Sequence, residues 1–271
     1  MIVPLRIGAV AYDPKVVTIW DGISSYINDS GINMNYVLFS NYKMQVDALI
    51  EGSIDIAWNT NLGYVRTHNR TQGRCLALAM RDTDVNFASV ILIRKDSQLS
   101  APTDLKGRSL ALGSRDSGHA AILPLYFLKR QGINSDSDLR LLRFDLDVGK
   151  HGDTGSSELA VLEAVVSGRA EAGAVGDSFW ARVLDEHLTD SDMVRVLWTT
   201  PTYSHCNFTA LNSLEEDRFI PWVEALLRMD YNDPAQRPLM DMEGLKRWVR
   251  AGTEGYRTLF QAVEEQGLEE E

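Results

Sequence analysis

Short apolar runs alternate with amphipathic stretches in the N-terminal third of the chain, and this alternation predicts β-strands separated by α-helices. The predicted strands cover residues 5–10, 32–39, 54–58 and 75–80, and the predicted helices cover residues 14–29, 44–50 and 62–68. The connections between them are short. This pattern is typical of a parallel sheet that helices cover on both faces.

After an apolar strand at residues 88–93 and a polar stretch, the alternation begins again. The second series has strands at 109–111, 139–144 and 170–175 and helices at 118–131, 157–167 and 177–187. Strands at 194–198 and 208–211 return the chain to the first series, and helices are predicted over 215–229, 243–249 and 254–265. We therefore predict an α/β protein in which residues 1–92 and 207–271 form a first lobe with the C-terminal helices, and residues 93–206 form a second lobe.

Two open mixed sheets joined by a two-strand hinge would form a clamshell, and ligands of open α/β sheets bind beyond the carboxyl ends of the strands. Polar and aromatic side chains at these ends are candidate ligand-binding residues. In the first lobe they are Tyr12, Asn41, Tyr42, Trp58, Asn59 and Arg81. Asp177 occupies the equivalent place in the second lobe, and helix capping is the alternative role for Asn41 and Asp177.

The stretch from Asp104 to Gly132 reads as a strand, a Ser/Gly/Asp turn over residues 113–118, and an amphipathic helix. Free backbone N–H groups and the positive end of the helix dipole would lie together at the edge of the sheet. A small anion binds readily at such a place. A plain connection between a strand and a helix is the alternative interpretation.

A glycine-rich loop at residues 145–155 follows the next strand of the second lobe. Lys150 would hold a carboxylate or phosphate as a point charge, and His151 with Asp153 would form an oriented base. A solvated turn is the alternative.

The polar run at residues 199–209 contains His205 and Cys206. A cysteine beside a histidine suggests a nucleophile, but neighbours along a strand point to opposite faces, so we do not expect these two side chains to act as a pair. Lining a ligand site and packing are the alternatives. Cys75 begins an apolar strand and is expected to be buried and inert.

The 271 residues include 27 basic and 38 acidic side chains, and the net charge of −11 argues against a nucleic-acid partner. Five histidines are scattered without metal-site spacings, so no metal and no other cofactor is expected.

No run is long enough for membrane insertion. Because no export signal precedes the first strand, we expect a cytoplasmic protein if Met1 is the native start and a periplasmic one if a signal peptide was removed.

Three segments together resemble a known family. They are Asp104-Leu105-Lys106-Gly107 followed by Ser117-Gly118, Pro124 and Gly132; residues 158–175; and residues 51–57. They resemble the phosphonate- and phosphate-type solute-binding proteins of ABC transporters, which have the type 2 periplasmic-binding-protein fold. In that family a serine-rich turn takes the anionic group of the ligand, and the resemblance assigns this role to Ser114, Ser117, Gly118 and His119. Asp116 departs from the family pattern, since its carboxylate would repel a dianion unless Arg115 offsets it.

The resemblance implies a protein that binds a small anionic or zwitterionic ligand in the cleft, with an ABC permease as partner if the protein is exported. The alternative is a cytoplasmic enzyme, because the fold superfamily also includes the thiamine pyrimidine synthase and dihydroxyphthalate decarboxylase types. His151, Asp153, His205 and Cys206 would then be the acid, base and orienting groups of a decarboxylase, lyase or hydrolase acting on a small carboxylate or heterocycle.

Overall fold

The computed structural model describes residues 3–188 and 191–269, which form two compact units. Unit 1 comprises the chain up to Asn86 together with Ser204–Arg257, and unit 2 comprises Phe87–Tyr203 and Thr258–Leu268. These divisions fall a few residues before the predicted boundaries at 92 and 206. Residues 258–268, which we expected in the first lobe, pack instead with unit 2.

Strands and helices alternate through most of the chain. The strands are β1 (Leu5–Val10), β2 (Met34–Phe39), β3 (Ile56–Asn59), β4 (Cys75–Ala77), β5 (Ala79–Arg81), β6 (Ser89–Arg94), β7 (Arg108–Leu112), β8 (Leu139–Arg143), β9 (Ala172–Gly176), β10 (Val194–Thr199), β11 (Asn207–Leu211) and β12 (Trp248–Arg250). The helices are α1 (Lys15–Asp29), α2 (Tyr42–Ile50), α3 (Asn61–Arg70), α4 (Leu123–Arg130), α5 (Ser135–Asp138), α6 (Ser156–Val166), α7 (Asp177–Asp185), α8 (Glu216–Leu227), α9 (Arg237–Glu243) and α10 (Arg257–Gln266). Among the described residues, no helix is both long and apolar enough to cross a membrane.

Unit 1 is built on a five-stranded mixed sheet in the order β2-β1-β3-β11-β4. β1 pairs in parallel with β2 and β3, whereas β11 runs antiparallel to β3 and β4. One side of α1 is buried on this sheet, because apolar residues recur every three or four positions, as at Ile19, Ile23 and Ile27. Phe208 of β11 lies in the centre of this core and contacts Trp222 of α8 edge to face.

Unit 2 has a second five-stranded mixed sheet in the order β10-β6-β9-β7-β8. Its central strands are apolar on both sides because both faces are covered. Leu162 and Val165 of α6 pack on one face, and Leu125 and Leu128 of α4 pack on the other. The carboxyl ends of the parallel strands β7, β8 and β9 therefore open into the loops that carry the predicted anion site.

The C-terminal region differs from the prediction in two places. The helix expected over residues 243–249 is wrong: α9 ends at Glu243, Gly244 has φ +77°, and β12 then pairs antiparallel with β5. The last helix, α10, is tied to the α4 segment of unit 2. Gln266 Nε2 donates to Ile122 O at 3.0 Å, and Tyr126 Oη donates to Gln261 Oε1 at 2.7 Å.

Candidate functional site

The serine-rich turn of unit 2 follows β7 and leads into a continuous helical segment that ends with α4. The segment opens with a π-helical turn over Gly118–Ile122, in which Ile122 N donates to Ser117 O at 3.0 Å. Ser117 is the N-cap, and its Oγ accepts from Ala120 N at 3.1 Å. Isolated π turns occur frequently at functional sites. The N–H of Gly118, as the first helical residue, has no acceptor within the helix, and such an N–H group can bind an anion.

The loop at residues 145–155 is bonded to this turn through buried side chains. Ser114 Oγ donates to the Asp147 carboxylate, and Asp147 N donates back to Ser114 Oγ at 3.1 Å. Thr154 Oγ1 donates to the other oxygen of Asp147 at 2.7 Å. The hydroxyl proton of Ser114 is donated to Asp147. We therefore interpret Ser114 as a residue that positions the 145–155 loop.

Asp116 and Arg115 are also engaged between the same two loops. Asp116 is buried, and its Oδ2 accepts from Gly149 N at 2.5 Å. The Arg115 guanidinium bonds Asp145, with Nε donating to Oδ2 at 3.0 Å, and this bond lowers the pKa of Asp145. The carboxylate of Asp116, which departs from the family pattern, therefore helps to hold the 113–118 turn against the 145–155 loop.

His119 and Glu158 form a buried pair behind the turn. His119 Nε2 lies 3.5 Å from Glu158 Oε1, and the same oxygen accepts from Gly176 N at 2.7 Å. Burial lowers the pKa of His119, but Glu158, Asp153 and Asp147 outweigh it, so that the pKa is raised overall. Asp177, which follows Gly176, accepts from Ala88 N at 3.0 Å through Oδ2.

Glycine conformations bring the 145–155 loop directly against the turn. Gly152 has φ +90°, and a β-carbon there would lie 2.7 Å from Ser117 Oγ and 3.3 Å from His119 Cε1. His151 is 1% exposed and has φ +54°, a left-handed conformation that is uncommon for any residue but glycine. Lys150 is half-buried beside it. Gly152 thus brings the loop that carries Lys150 and His151 against Ser117 and His119, and the assignment of these residues to a ligand site stays a prediction.

The first-lobe candidates lie mainly in structural networks of unit 1. Asn59 is fully buried at the end of β3, where Oδ1 accepts from Gln45 Nε2 at 2.9 Å and Nδ2 donates to Thr209 Oγ1 at 3.1 Å. Asn41 caps α2, since its Oδ1 accepts from Met44 N at 2.9 Å. The remaining aromatic candidates are Tyr12, which is half-buried, and Tyr42 and Trp58, which are buried.

Arg81 belongs to a buried ionic cluster with Asp84, His205 and Cys206. Its Nε and Nη2 donate to the two oxygens of Asp84 at 2.6 and 2.9 Å. His205 Nδ1 lies 3.3 Å from Asp84 Oδ1 and 3.1 Å from Cys206 Sγ. The expectation that His205 and Cys206 point apart is wrong, because these residues precede β11 and are not held in the alternation of a strand.

This cluster offers oxygen, nitrogen and sulfur atoms within 4.8 Å of one another, as a metal site would. However, Asp84 already accepts the fork of Arg81 and, at Oδ1, also Cys206 N at 3.1 Å. The nearby guanidinium also opposes a cation electrostatically. Since both Asp84 and Cys206 approach the same imidazole nitrogen, the cluster also lacks the two-sided geometry of a relay that activates a thiol. We therefore interpret it as an ion-pair network.

Cys75 behaves as the sequence predicts. It is 7% exposed, and burial raises the pKa of its thiol to about 11. A thiol with such a pKa is a poor nucleophile near neutral pH.

Sequence reasoning did not assign roles to Asp147, Thr154, Glu158 or Asp84. The first three lie in segments that were singled out as a loop and as a family-like helix, but Asp147 and Glu158 bond residues that are distant along the chain. One signal was present in the sequence: three glycines in a short polar loop indicate backbone conformations that need positive φ.

A sequence model of the family described as "ABC transporter, phosphonate, periplasmic substrate-binding protein" matches residues 8–256. The chain is 24% identical over 238 residues to a protein of Prochlorococcus marinus (strain MIT 9301) named "Probable ABC transporter phosphite binding protein PhnD1", covering 84% of this chain and 77% of the relative. The resemblance inferred from the sequence is thereby confirmed.

Solved structures agree on the fold. The chain superposes on PhnD1 of Prochlorococcus marinus in complex with methylphosphonate with a TM-score of 0.75 and 22% identity, over 97% of this chain and 98% of that one. XAC2383 from Xanthomonas citri bound to ATP gives 0.73 and 18% identity over 98% and 99%. The sulphonate-binding protein SsuA of Escherichia coli gives 0.64 and 17% identity over 100% and 95%. The predicted two-lobed α/β binding-protein fold is therefore confirmed.

Two expectations need correction. The cytoplasmic location conflicts with the family match, because the family consists of periplasmic proteins. The suggested lyase or hydrolase activity conflicts with the binding role of the same family. The first expectation depended on taking Met1 as the native start, and the family match supports its periplasmic alternative. The nearby titratable residues misled the second expectation.

Proposed function

Because the chain belongs to the phosphonate-binding family of periplasmic substrate-binding proteins of ABC transporters, we propose that it binds a small phosphorus oxyanion, such as a phosphonate or phosphite, and delivers it to an ABC permease in the periplasm. The observation that carries this proposal is the Ser117–Gly118 turn, where a serine cap and a π turn begin a helix. The phosphite and methylphosphonate named for the PhnD1 protein support this ligand class.

In this proposal the anion is held chiefly by neutral donors of unit 2. The Gly118 N–H and the Ser117 hydroxyl bind its oxygens, and Lys150 and His151 approach from the adjoining loop. Oriented N–H groups at a helix start stabilise negative charge without the desolvation of a bulky cation. Asp177 would accept from a protonated oxygen or an amine of the ligand. In unit 1, Tyr12, Tyr42 and Trp58 remain candidate ligand-binding residues.

Titration calorimetry with methylphosphonate, phosphite, phosphate and methanesulfonate tests the proposal, with sodium chloride at equal ionic strength as the control. We expect saturable binding of at least one phosphorus oxyanion and a matching rise in Tm, because a ligand that binds only the native state stabilises it. Failure of every oxyanion to bind at millimolar concentration would refute the proposal.

A pair of variants at Gly118 tests the helix start itself. Proline fits the first helical position and removes only the N–H, and the extended conformation of Ser117 (φ −79°, ψ 118°) is compatible with a following proline. We expect Gly118→Pro to bind the oxyanion about tenfold or more weakly than Gly118→Ala, which keeps the N–H. Equal affinities of the two variants would place the anion elsewhere.

A further inference from the structure

We propose that His119, as an imidazolium paired with Glu158, is a positioning residue that holds the anion-binding loops of unit 2 together and supplies the buried positive charge behind them. This inference rests on the proposed function, because it concerns affinity for the same oxyanion. It assigns the histidine a place behind the ligand-binding turn rather than in contact with the ligand.

The ring of His119 adjoins each loop that carries a proposed ligand contact in unit 2. It follows Ser117 and Gly118 in the first loop, and its Cε1 lies 3.3 Å from where a β-carbon on Gly152 would stand. Its Cδ2 lies 3.2 Å from the corresponding point on Gly176, just before Asp177. Its backbone oxygen is fixed by Ser89 Oγ, which donates to it at 2.6 Å.

Glu158 connects the imidazole to the third of these loops. Its Oε1 both faces His119 Nε2 at 3.5 Å and accepts from Gly176 N at 2.7 Å. Both side chains are about 95% buried, so an ionised Glu158 without a cation nearby would be costly. Protonation of His119 therefore stabilises the carboxylate that in turn fixes the backbone before Asp177.

The charged and titratable groups around His119 are mostly acidic. Glu158 faces it from α6, Asp147 and Asp153 from the 145–155 loop, and these three favour the imidazolium. Tyr203 lies beyond Ser89, whose hydroxyl shares a 2.7 Å hydrogen bond with the tyrosine. Phe87 covers one side of the ring, with centroids 5.8 Å apart. The imidazolium thus offsets part of the negative charge that would otherwise oppose an anion in front of Ser117.

Ser117 Oγ and His119 Cε1 both lie within 3.3 Å of a single point, the β-carbon position of Gly152. A positive charge on the His119 ring, so close to the proposed anion site, strengthens the binding of an anion by about tenfold at an intermediate dielectric constant. Because Glu158 and the neighbouring aspartates raise the pKa of His119, the imidazolium persists to higher pH than that of an ordinary histidine and is lost as the pH rises further. Anion affinity must fall over the same range.

The test compares methylphosphonate affinities of the wild type and of His119→Gln from pH 5.5 to pH 9, by titration calorimetry. Ionisation of the ligand affects both proteins equally, so the ratio of their Kd values isolates the histidine. We expect the variant to bind about tenfold more weakly at the acidic end, and the two affinities to converge towards the alkaline end as His119 loses its proton.

A second variant covers the case in which His119→Gln does not fold. Glu158→Gln keeps the shape and removes the charge that favours the imidazolium, so the pH midpoint of methylphosphonate affinity should move to lower pH, with the same shift in the NMR titration of the His119 ring. A Kd ratio that stays constant with pH, or a midpoint unchanged by Glu158→Gln, would overturn the inference while leaving the proposed function intact. Absence of wild-type binding at every pH would refute the proposed function as well.

Discussion

The polar side chains at the strand ends of unit 1 and of unit 2 are used differently. In unit 1, Asn59 and Arg81 are buried or half-buried with partners that use their donors and acceptors, and the backbone around them is regular. In unit 2, Ser114 and Asp116 bond one loop to another, and the positive φ of His151 and Gly152 brings backbone against the helix start. The two units thus differ in that the polar strand ends of unit 2, where we propose the ligand site, also carry unusual backbone conformations.

The largest effect should come from breaking the ionic cluster of unit 1. Burial alone would raise the pKa of Asp84, but Arg81 and His205 hold it far below the usual range. Asp84→Ala removes the carboxylate that accepts two hydrogen bonds from the guanidinium of Arg81 and leaves it only Glu243, whose backbone oxygen lies at 2.9 Å and whose carboxylate lies at 3.7 Å. We expect this to lower the free energy of unfolding by about 3–5 kcal/mol. Denaturant unfolding measures this, with Asp96→Ala in the exposed Arg94 pair as a control that should leave the stability almost unchanged.

The pH dependence follows from the sign of that shift. A carboxyl group whose pKa is lower in the folded protein stabilises the fold when the pH is above its pKa in the unfolded chain, which is near 4. That stabilisation is lost as the pH falls towards the pKa of the folded protein. The difference between wild type and Asp84→Ala should therefore be constant above about pH 5 and shrink in stronger acid. A difference that grows on acidification would contradict the ion pair.

Gly152→Ala should disrupt unit 2 and its ligand site together. The added β-carbon would lie 2.7 Å from Ser117 Oγ at φ +90°, so we expect a loss of about 2–4 kcal/mol in unfolding free energy and weaker oxyanion binding. Gly107→Ala is the matched control, because Gly107 has φ +76° with nothing within 4 Å of the added carbon. Similar losses in the two variants would show that backbone strain alone accounts for the effect.

Asn59→Ala tests whether unit 1 uses this amide for structure or for ligand. Its loss removes one of the buried hydrogen-bond partners of Gln45 and of Thr209 and should cost about 1–3 kcal/mol of unfolding free energy. We expect the oxyanion Kd to change by less than about threefold, since the amide is satisfied within unit 1. A large change in Kd with unaltered stability would restore Asn59 to the ligand site.

The smallest effect is expected at Asn41. Asn41→Ala removes the cap of α2 and should cost about 1 kcal/mol in denaturant unfolding, while Asn41→Ser should recover most of it because serine caps equally well. If the serine variant were as unstable as the alanine variant, the capping role would be wrong.

The alternation of strands and helices was readable from the sequence because both sheets are covered on two faces, which leaves strands such as Ile56–Asn59 and Ala172–Gly176 almost fully buried and apolar. Trp248–Arg250 was misassigned as helix because three residues carry too little periodicity to reveal a strand, and its partner Ala79–Arg81 is distant in the chain. The placement of α10 in unit 2 depends on contacts with Tyr126 and Ile122 that no local pattern reveals.

For the candidate site, the sequence identified the loops better than the roles within them. Helix-start chemistry, which is local, indicated the turn at residues 113–118, and the family resemblance proposed Ser117 and Gly118 within it. The use of Ser114 by Asp147, and of His119 by Glu158, depends on side chains that meet only after β7, β8 and β9 align. Local rules cannot supply such pairings.

The π turn at Gly118–Ile122 also fixes the length of the chain here. It accommodates one more residue than an α turn, and each residue of a helix advances the following side chains by about 100°. Deleting Ala120 or Ala121 would give a regular helix but rotate Leu125 and Leu128 out of their places in the unit 2 core. Engineering of this region should therefore exchange side chains and keep the number of residues. After a single deletion, the helix start and the packing of the leucines could not both be kept.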